Sequence, residues 1–132
     1  MKGFGIYTWP GGRKYIGFYL NDQKEGYGIY YWNDGRIFKG WWSNNRQFGL
    51  GIYLCEEEEE KYGLWEKGKR IMWFSQDQID MINNKKYDYT ALFSDPSSKE
   101  QIMKDTTFEP PANYHTSIKK LKEIYPEYDQ FI

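Results

Sequence analysis

A 23-residue period governs the first half of the chain. Written in register, GFGIYTWPGGRKYIGFYLNDQKE (3–25), GYGIYYWNDGRIFKGWWSNNRQF (26–48) and GLGIYLCEEEEEKYGLWEKGKRI (49–71) follow one another without a gap. Gly3, Gly26 and Gly49 align, as do Gly5, Gly28 and Gly51; Ile6, Ile29 and Ile52; Tyr7, Tyr30 and Tyr53; and Gly17, Gly40 and Gly63. Trp42 and Trp65 fall under Tyr19. A unit this short cannot bury an apolar face alone, so the units must stack, and about three are the practical minimum.

Each unit reads as two short strands. GxGIYxW is followed by a turn such as Asn33-Asp34-Gly35, a strong hairpin signal. YIGFY or FKGWW forms the second strand, and a polar loop of about six residues leads onward. Side chains alternate between faces with a period of two. Gly5, Tyr7, Trp9, Tyr15, Gly17 and Tyr19 therefore share a face, as do Gly28, Tyr30, Trp32, Phe38, Gly40 and Trp42. Each glycine there leaves a socket in which a neighbouring ring lies flat, and paired rings add about 0.5–1.5 kcal/mol beyond area burial. The opposite face is apolar too: Ile6, Phe18, Ile29, Tyr31, Trp41, Ile52, Leu54 and Leu64. A sheet wetted on one side alternates apolar with polar. Both faces are thus expected to be covered at least in part, by the C-terminal segment, a second copy or another protein. The fold class expected is mainly β. A single-layer antiparallel hairpin stack occupies residues 1–74, and residues 75–132 form a segment of short helices and extended stretches.

From Tyr15, the string YIGFYLNDQKEGYGIYYWNDG resembles a MORN repeat, whose pattern is YxGxWxxGxxxGxGxYxxxDG. FKGWWSNNRQFGLGIYL fits as well, and KYGLWEKGKR begins a third unit. The resemblance covers residues 3–71. Asp22 and Asn45 stand where the family has a loop glycine, and both tolerate left-handed backbone. In the third unit Glu56 to Glu60 replaces the turn, and Lys61 replaces the strand-leading aromatic. The resemblance implies an elongated, twisted hairpin array used for protein scaffolding in ciliary axonemes and cytoskeletal assemblies, with phosphoinositide binding proposed for some members and no activity of its own. Choline-binding cell-wall repeats also interleave glycine with aromatics, but they require export, which neither the period nor the leaderless start fits.

Beyond Trp73, Ser75-Gln76-Asp77-Gln78 reads as a capping box opening a helix to about Lys86. A second short helix is expected over Ser98 to Lys104. Pro110-Pro111 forces an extended link, and Thr116 caps a third helix, TSIKKLKEIY, stopped by Pro126. Phe93, Phe108, Tyr114, Ile118, Leu121, Tyr125 and Phe131 are too dispersed to make a core among themselves. They read as anchors on another surface, either this chain's own sheet or a partner's.

Aromatics make up 20% of the 132 residues, which excludes a disordered chain. A net charge of −1 provides no global basic field for nucleic acid or anionic membrane. The single cysteine, Cys55, fits a reducing compartment. It takes the position of Trp9 and Trp32 and reads as a small buried hydrophobe. With the lone His115 it makes no zinc set, and no catalytic or cofactor constellation is legible.

The chain is therefore expected to be intracellular, not secreted, and not an enzyme. Its expected role is a scaffold or accessory subunit of a larger assembly, with cilium or cytoskeleton favoured over an accessory place in a mitochondrial membrane complex. The expected interface comprises Tyr7, Trp9, Tyr19, Tyr30, Trp32, Trp42, Tyr53 and Trp65 on the array, with Phe108, Tyr114, Leu121 and Tyr125 in the tail. The N-terminal strand is expected to be an open edge suited to pairing with another β array. The competing reading is a peripheral module reading phosphoinositides through Lys67, Lys69 and Arg70, joined by Arg46 and Lys24 at equivalent loop positions.

Overall fold

Turn chemistry sets the strand order. Asn21-Asp22, Asn44-Asn45 and Lys67-Gly68 all have positive φ, at 51° and 62°, 51° and 69°, and 51° and 83°. Two successive left-handed residues make the tight hairpin turn whose twist matches the flanking strands. The computed structural model, which describes residues 3–55, 59–102 and 107–126, accordingly shows a seven-stranded antiparallel meander. Its strands are β1 (Gly3–Thr8), β2 (Lys14–Leu20), β3 (Gln23–Tyr31), β4 (Ile37–Ser43), β5 (Arg46–Leu54), β6 (Lys61–Glu66) and β7 (Lys69–Trp73), hydrogen-bonded in sequence order. The sheet is open, with β1 and β7 at its edges. The polar loop of about six residues expected between units is instead a two-residue turn. Gln23, Lys24 and Glu25 continue β3, because a turn of this type needs only two residues and frees the rest to pair.

Glycine plays two parts. Gly5 pairs with Gly17, Gly17 with Gly28, Gly28 with Gly40, Gly40 with Gly51 and Gly51 with Gly63. A line of glycines thus crosses the sheet from β1 to β6 as the floor of a trough. The first glycine of each GxG is different: Gly26 and Gly49 have φ of 80° and 90°, a backbone that side chains rarely adopt.

The C-terminal segment packs on the face away from the glycine line. Helix α1 (Gln76–Asn83) starts with the expected capping box, Ser75 Oγ accepting from the Gln78 amide and Gln78 Oε1 from the Ser75 amide. It stops short of Lys86 because Lys85 turns left-handed. The amides of Lys85 and Lys86 then bond back to the carbonyls of Ile82 and Met81. A 3₁₀ turn, Tyr89–Leu92, follows. Helix α2 (Pro96–Gln101) begins two residues before the expected start, with Asp95 as its cap; the expected end at Lys104 lies outside the described residues. Helix α3 (Ala112–Ile124) starts directly after the extended Pro111. Thr116 is inside it, donating to the Ala112 carbonyl, and does not cap it. Pro111 is the N-cap of the helix, in extended conformation, and no side-chain hydrogen bond caps this end.

One core joins sheet and tail. Ile16, Ile29, Leu50, Ile52 and Leu64 from the strands meet Phe74, Ile79, Phe93, Phe108, Tyr114 and Ile118. Trp41 Nε1 donates to the Thr107 carbonyl at 3.0 Å, and Tyr114 Oη donates to the Ile16 carbonyl at 3.3 Å. The Tyr114 ring also meets Tyr27 edge-on at 5.0 Å. Tyr114→Phe keeps this ring packing and loses one buried hydrogen bond, an expected cost of about 1 kcal/mol by urea unfolding.

Candidate interaction face

The trough side of the sheet is a second aromatic cluster built wholly from the array. Tyr15, Tyr19, Tyr30, Phe38, Trp42 and Trp65 are buried, and Tyr7, Trp9, Trp32, Tyr53 and Trp73 are half-buried against them. The rings interlock by edge-to-face contact, as in Tyr15–Trp42 at 5.6 Å and Phe38–Trp65 at 4.8 Å. Among the described residues, none beyond Trp73 joins this cluster. Among the described residues, the face is therefore covered by its own rings lying over the glycine floor.

The phenols here are uncharged at neutral pH. Burial, with the neighbouring Tyr7 and Tyr30 hydroxyls, pushes the Tyr19 pKa up to about 12. Burial, and then Asp22, raises that of Tyr7. The charge of the trough comes from cations seated on ring faces. Lys24 Nζ lies 5.2 Å from the centre of Trp9 and 5.5 Å from those of Tyr15, Tyr30 and Trp42. It donates to Asn45 Oδ1 at 3.0 Å. Burial, and then Arg13, lowers its pKa. Farther along, Arg36 sits 4.9 Å over Trp32 and Arg70 4.5 Å over Trp73. Ring quadrupoles stabilise such cations by about 0.5–2 kcal/mol each.

Several residues expected at an interface are placed elsewhere. Phe108 and Tyr114 are buried against this chain's own sheet, and Leu121 packs half-buried on the same core, so the tail anchors serve the fold. Tyr125, just past α3, is exposed. Lys67, Lys69 and Arg70 make no single basic edge. Lys67 Nζ bonds to Asp95, Arg70 lies on Trp73 in the trough, and Lys69 is exposed opposite Glu66. Lys24, read as a loop lysine, is buried within four rings. Cys55 is half-buried rather than buried, its thiol donating to Tyr53 Oη at 3.5 Å. Glu59 and Glu60 are exposed, and Glu56 to Glu58 lie outside the described residues. His115 is exposed on α3.

The residue that sequence reasoning missed is Glu66, at the end of β6. Its carboxylate accepts from Ser98 Oγ at 2.6 Å, Ser94 Oγ at 2.7 Å and the amides of Ser94 and Asp95 at 3.0 and 3.1 Å. Burial alone pushes its pKa up, yet the bonds from Ser98, Ser94 and Asp95 outweigh it and hold the carboxyl down at about 2. Glu66 therefore latches the tail to the array.

Among the described residues, no three His, Cys, Asp or Glu side chains gather as a metal set would, and no helix is long and apolar enough to cross a membrane. No protein-family model matches this sequence, and no curated protein matches it.

Proposed function

We propose that the chain is a non-catalytic scaffold or accessory subunit that binds another protein through its aromatic trough. The observation that supports this is the asymmetry between the two faces. One is closed by the chain's own tail, while the other presents Tyr7, Trp9, Trp32, Tyr53 and Trp73 half-exposed in one contiguous row. Contiguous aromatic surface of this kind, with cations seated in it, is the composition enriched at protein interfaces. β1 and β7, the two edge strands of the sheet among the described residues, offer main-chain groups to which a partner strand can bond. The likeness of the repeat to MORN units supports the reading and makes axonemal and cytoskeletal assemblies the first to search, with a mitochondrial membrane complex next.

The test is purification of the tagged, endogenous protein under mild salt, beside a Trp32→Ala, Tyr53→Ala variant. The expected result is a stoichiometric set of co-purifying subunits with the wild type, reduced about tenfold or more with the variant. Both rings are half-buried, so the variant's thermal midpoint is expected to fall by only a few degrees. A wild-type chain recovered alone, or a partner set indifferent to the variant, contradicts the proposal.

A further inference from the structure

The motif GxGIY opens β1 and recurs in β3 and β5. Gly28 and Ile29 are buried in β3, and Gly51 and Ile52 in β5, whereas Gly5 and Ile6 are half-buried in β1. The interior strands have a neighbour on both sides, and β1 is an edge strand among the described residues. A Cβ on Gly28 would meet the Tyr15 hydroxyl, from β2, at 2.1 Å, and one on Gly51 would meet the Phe38 ring, from β4, at 2.5 Å. Tyr15 and Phe38 are one period apart. Each stands two residues before a glycine that pairs across the ladder, Gly17 with Gly28 and Gly40 with Gly51. At Gly5, the three atoms nearest such a Cβ all belong to Tyr7 of the same strand, the closest at 3.0 Å. The socket that β2 and β4 fill from the preceding strand is met at β1 by that strand's own ring.

The main chain of β1 is oriented to match. The Trp9 amide donates to the Arg13 carbonyl at 2.9 Å, and hydrogen-bonded pairs alternate along an antiparallel ladder. With Tyr7 opposite Tyr15 and Gly5 opposite Gly17, the main-chain groups of Tyr7 and Gly5 turn toward β2. Those of Phe4, Ile6 and Thr8 turn toward the outer edge. Backbone donors and acceptors thus lie in one line beside a glycine socket.

We infer that the outer edge of β1 takes, in antiparallel register, a strand of the partner protein that carries tyrosine or phenylalanine two residues before a glycine. The inference rests on the protein-binding reading above and names the segment of the partner that is recognised. The partner's glycine lies opposite Gly5, as Gly17 lies opposite Gly28 and Gly40 opposite Gly51. Glycine is required there, because a Cβ on Gly17 would lie 2.5 Å from the Gly28 Cα. The partner's ring displaces Tyr7 from Gly5 and lengthens the trough by one strand. Tyr7 then stands against Trp9 as Tyr30 stands against Trp32, at 4.7 Å. The edges of a second copy of this chain do not supply such a strand. Neither Gly3–Thr8 nor Lys69–Trp73 has an aromatic residue two positions before a glycine. Main-chain bonds to Phe4, Ile6 and Thr8 give the affinity, and the socket gives the specificity.

The full chain is titrated with a synthetic peptide of the β2 sequence, KYIGFYL, extended by lysines for solubility, and followed by calorimetry and amide hydrogen exchange. The same peptide with valine for glycine, or with serine for the first tyrosine, serves as comparison. The β2 peptide is expected to bind and to slow exchange at Phe4, Ile6 and Thr8, and each comparison peptide to bind about tenfold or more weakly. Gly5→Ala, which puts a Cβ in the socket, is expected to weaken binding by the same factor. So is Thr8→Pro, which deletes an outward amide at an exposed position and is tolerated on an edge strand. Both variants are expected to lower the thermal midpoint by only a few degrees. Absence of binding by the wild type, equal binding of the valine peptide, or indifference to both variants overturns the inference. Slow exchange at Phe4, Ile6 and Thr8 in the free chain also overturns it. If independent of concentration, that result assigns the edge to the chain's own residues; if it grows on concentrating, to a second copy. Co-purifying subunits retained by Gly5→Ala and Thr8→Pro but lost by the Trp32→Ala, Tyr53→Ala variant overturn it while leaving the scaffold reading standing.

Discussion

Gly28→Ala is expected to cost about 3–5 kcal/mol, enough to unfold much of a domain whose total stability is about 5–15 kcal/mol. A Cβ on Gly28 would lie 2.1 Å from Tyr15 Oη and 2.3 Å from its Cζ. The Tyr15 ring cannot yield. It is wholly buried, its hydroxyl donates to the Phe18 carbonyl at 3.0 Å, and Tyr19 and Trp42 meet it edge-on at 5.3 and 5.6 Å. The backbone cannot yield either, because the Gly28 carbonyl accepts from Trp42 Nε1 at 3.2 Å. Overpacked cores respond to such a clash by shifting backbone and rotamers together. Gly5→Ala is the contrasting case. Its nearest neighbour is the Tyr7 hydroxyl at 3.0 Å, on a half-buried ring in an edge strand, so the expected cost is at the low end of overpacking, about 1 kcal/mol. Urea midpoints of the two variants check both values, and near-equal losses would refute the socket account.

Glu66→Gln is expected to loosen the tail at the cost of about 2–3 kcal/mol. The variant replaces a charged acceptor of four hydrogen bonds with a neutral amide, one end of which is a donor facing Ser98, itself fully buried. The pH dependence follows from the carboxyl being held near 2 in the folded chain, below its ordinary value of 4.5. A carboxyl depressed on folding contributes stability above its unfolded value and loses it as pH falls through the folded one. The wild type is therefore expected to lose this contribution progressively between about pH 4.5 and 2, and Glu66→Gln to show a shallower acid dependence there. Asp95 moves in the same direction. The Lys67 ammonium, and then the Ser97 amide and hydroxyl, hold it at about 2, so double substitution at Glu66 and Asp95 flattens the acid limb further. Urea unfolding at pH 7 and pH 3 separates the two contributions.

The array was legible because the repeat states its geometry several times over. A strand period of two, a glycine at the same place in strands β1 to β6 and asparagine or glycine at each tight turn agree with one another, and that agreement is what specifies a fold. The trough residues followed from the same alternation. Lys24 did not, because lysine next to a turn ordinarily belongs to solvent; the four rings converging from the turn after β1 and from β2, β3 and β4 make a buried place for it. The latch was equally hidden. Glu66 bonds to residues 28 to 32 positions away, and no local pattern announces such a pairing. The first tail helix was found where Ser75 caps it, whereas α2 was placed two residues late although the Asp95 side chain caps it. The start of α3 was misjudged because proline, not a hydroxyl, begins it. The destination of Phe108 and Tyr114 stayed open because an apolar residue spaced along a polar segment reads alike whether it packs on its own sheet or on a partner's.

The central claim is that one face is closed by the chain itself and the other is left for a partner. Site-specific photocross-linking in cells tests it most directly, with a benzophenone side chain placed at Trp32 in the trough or at His115 on the outer side of the tail. The expected result is a discrete cross-linked adduct from position 32 and none from position 115. Adducts from position 115 with none from position 32 would contradict the account and put the partner on the helical side.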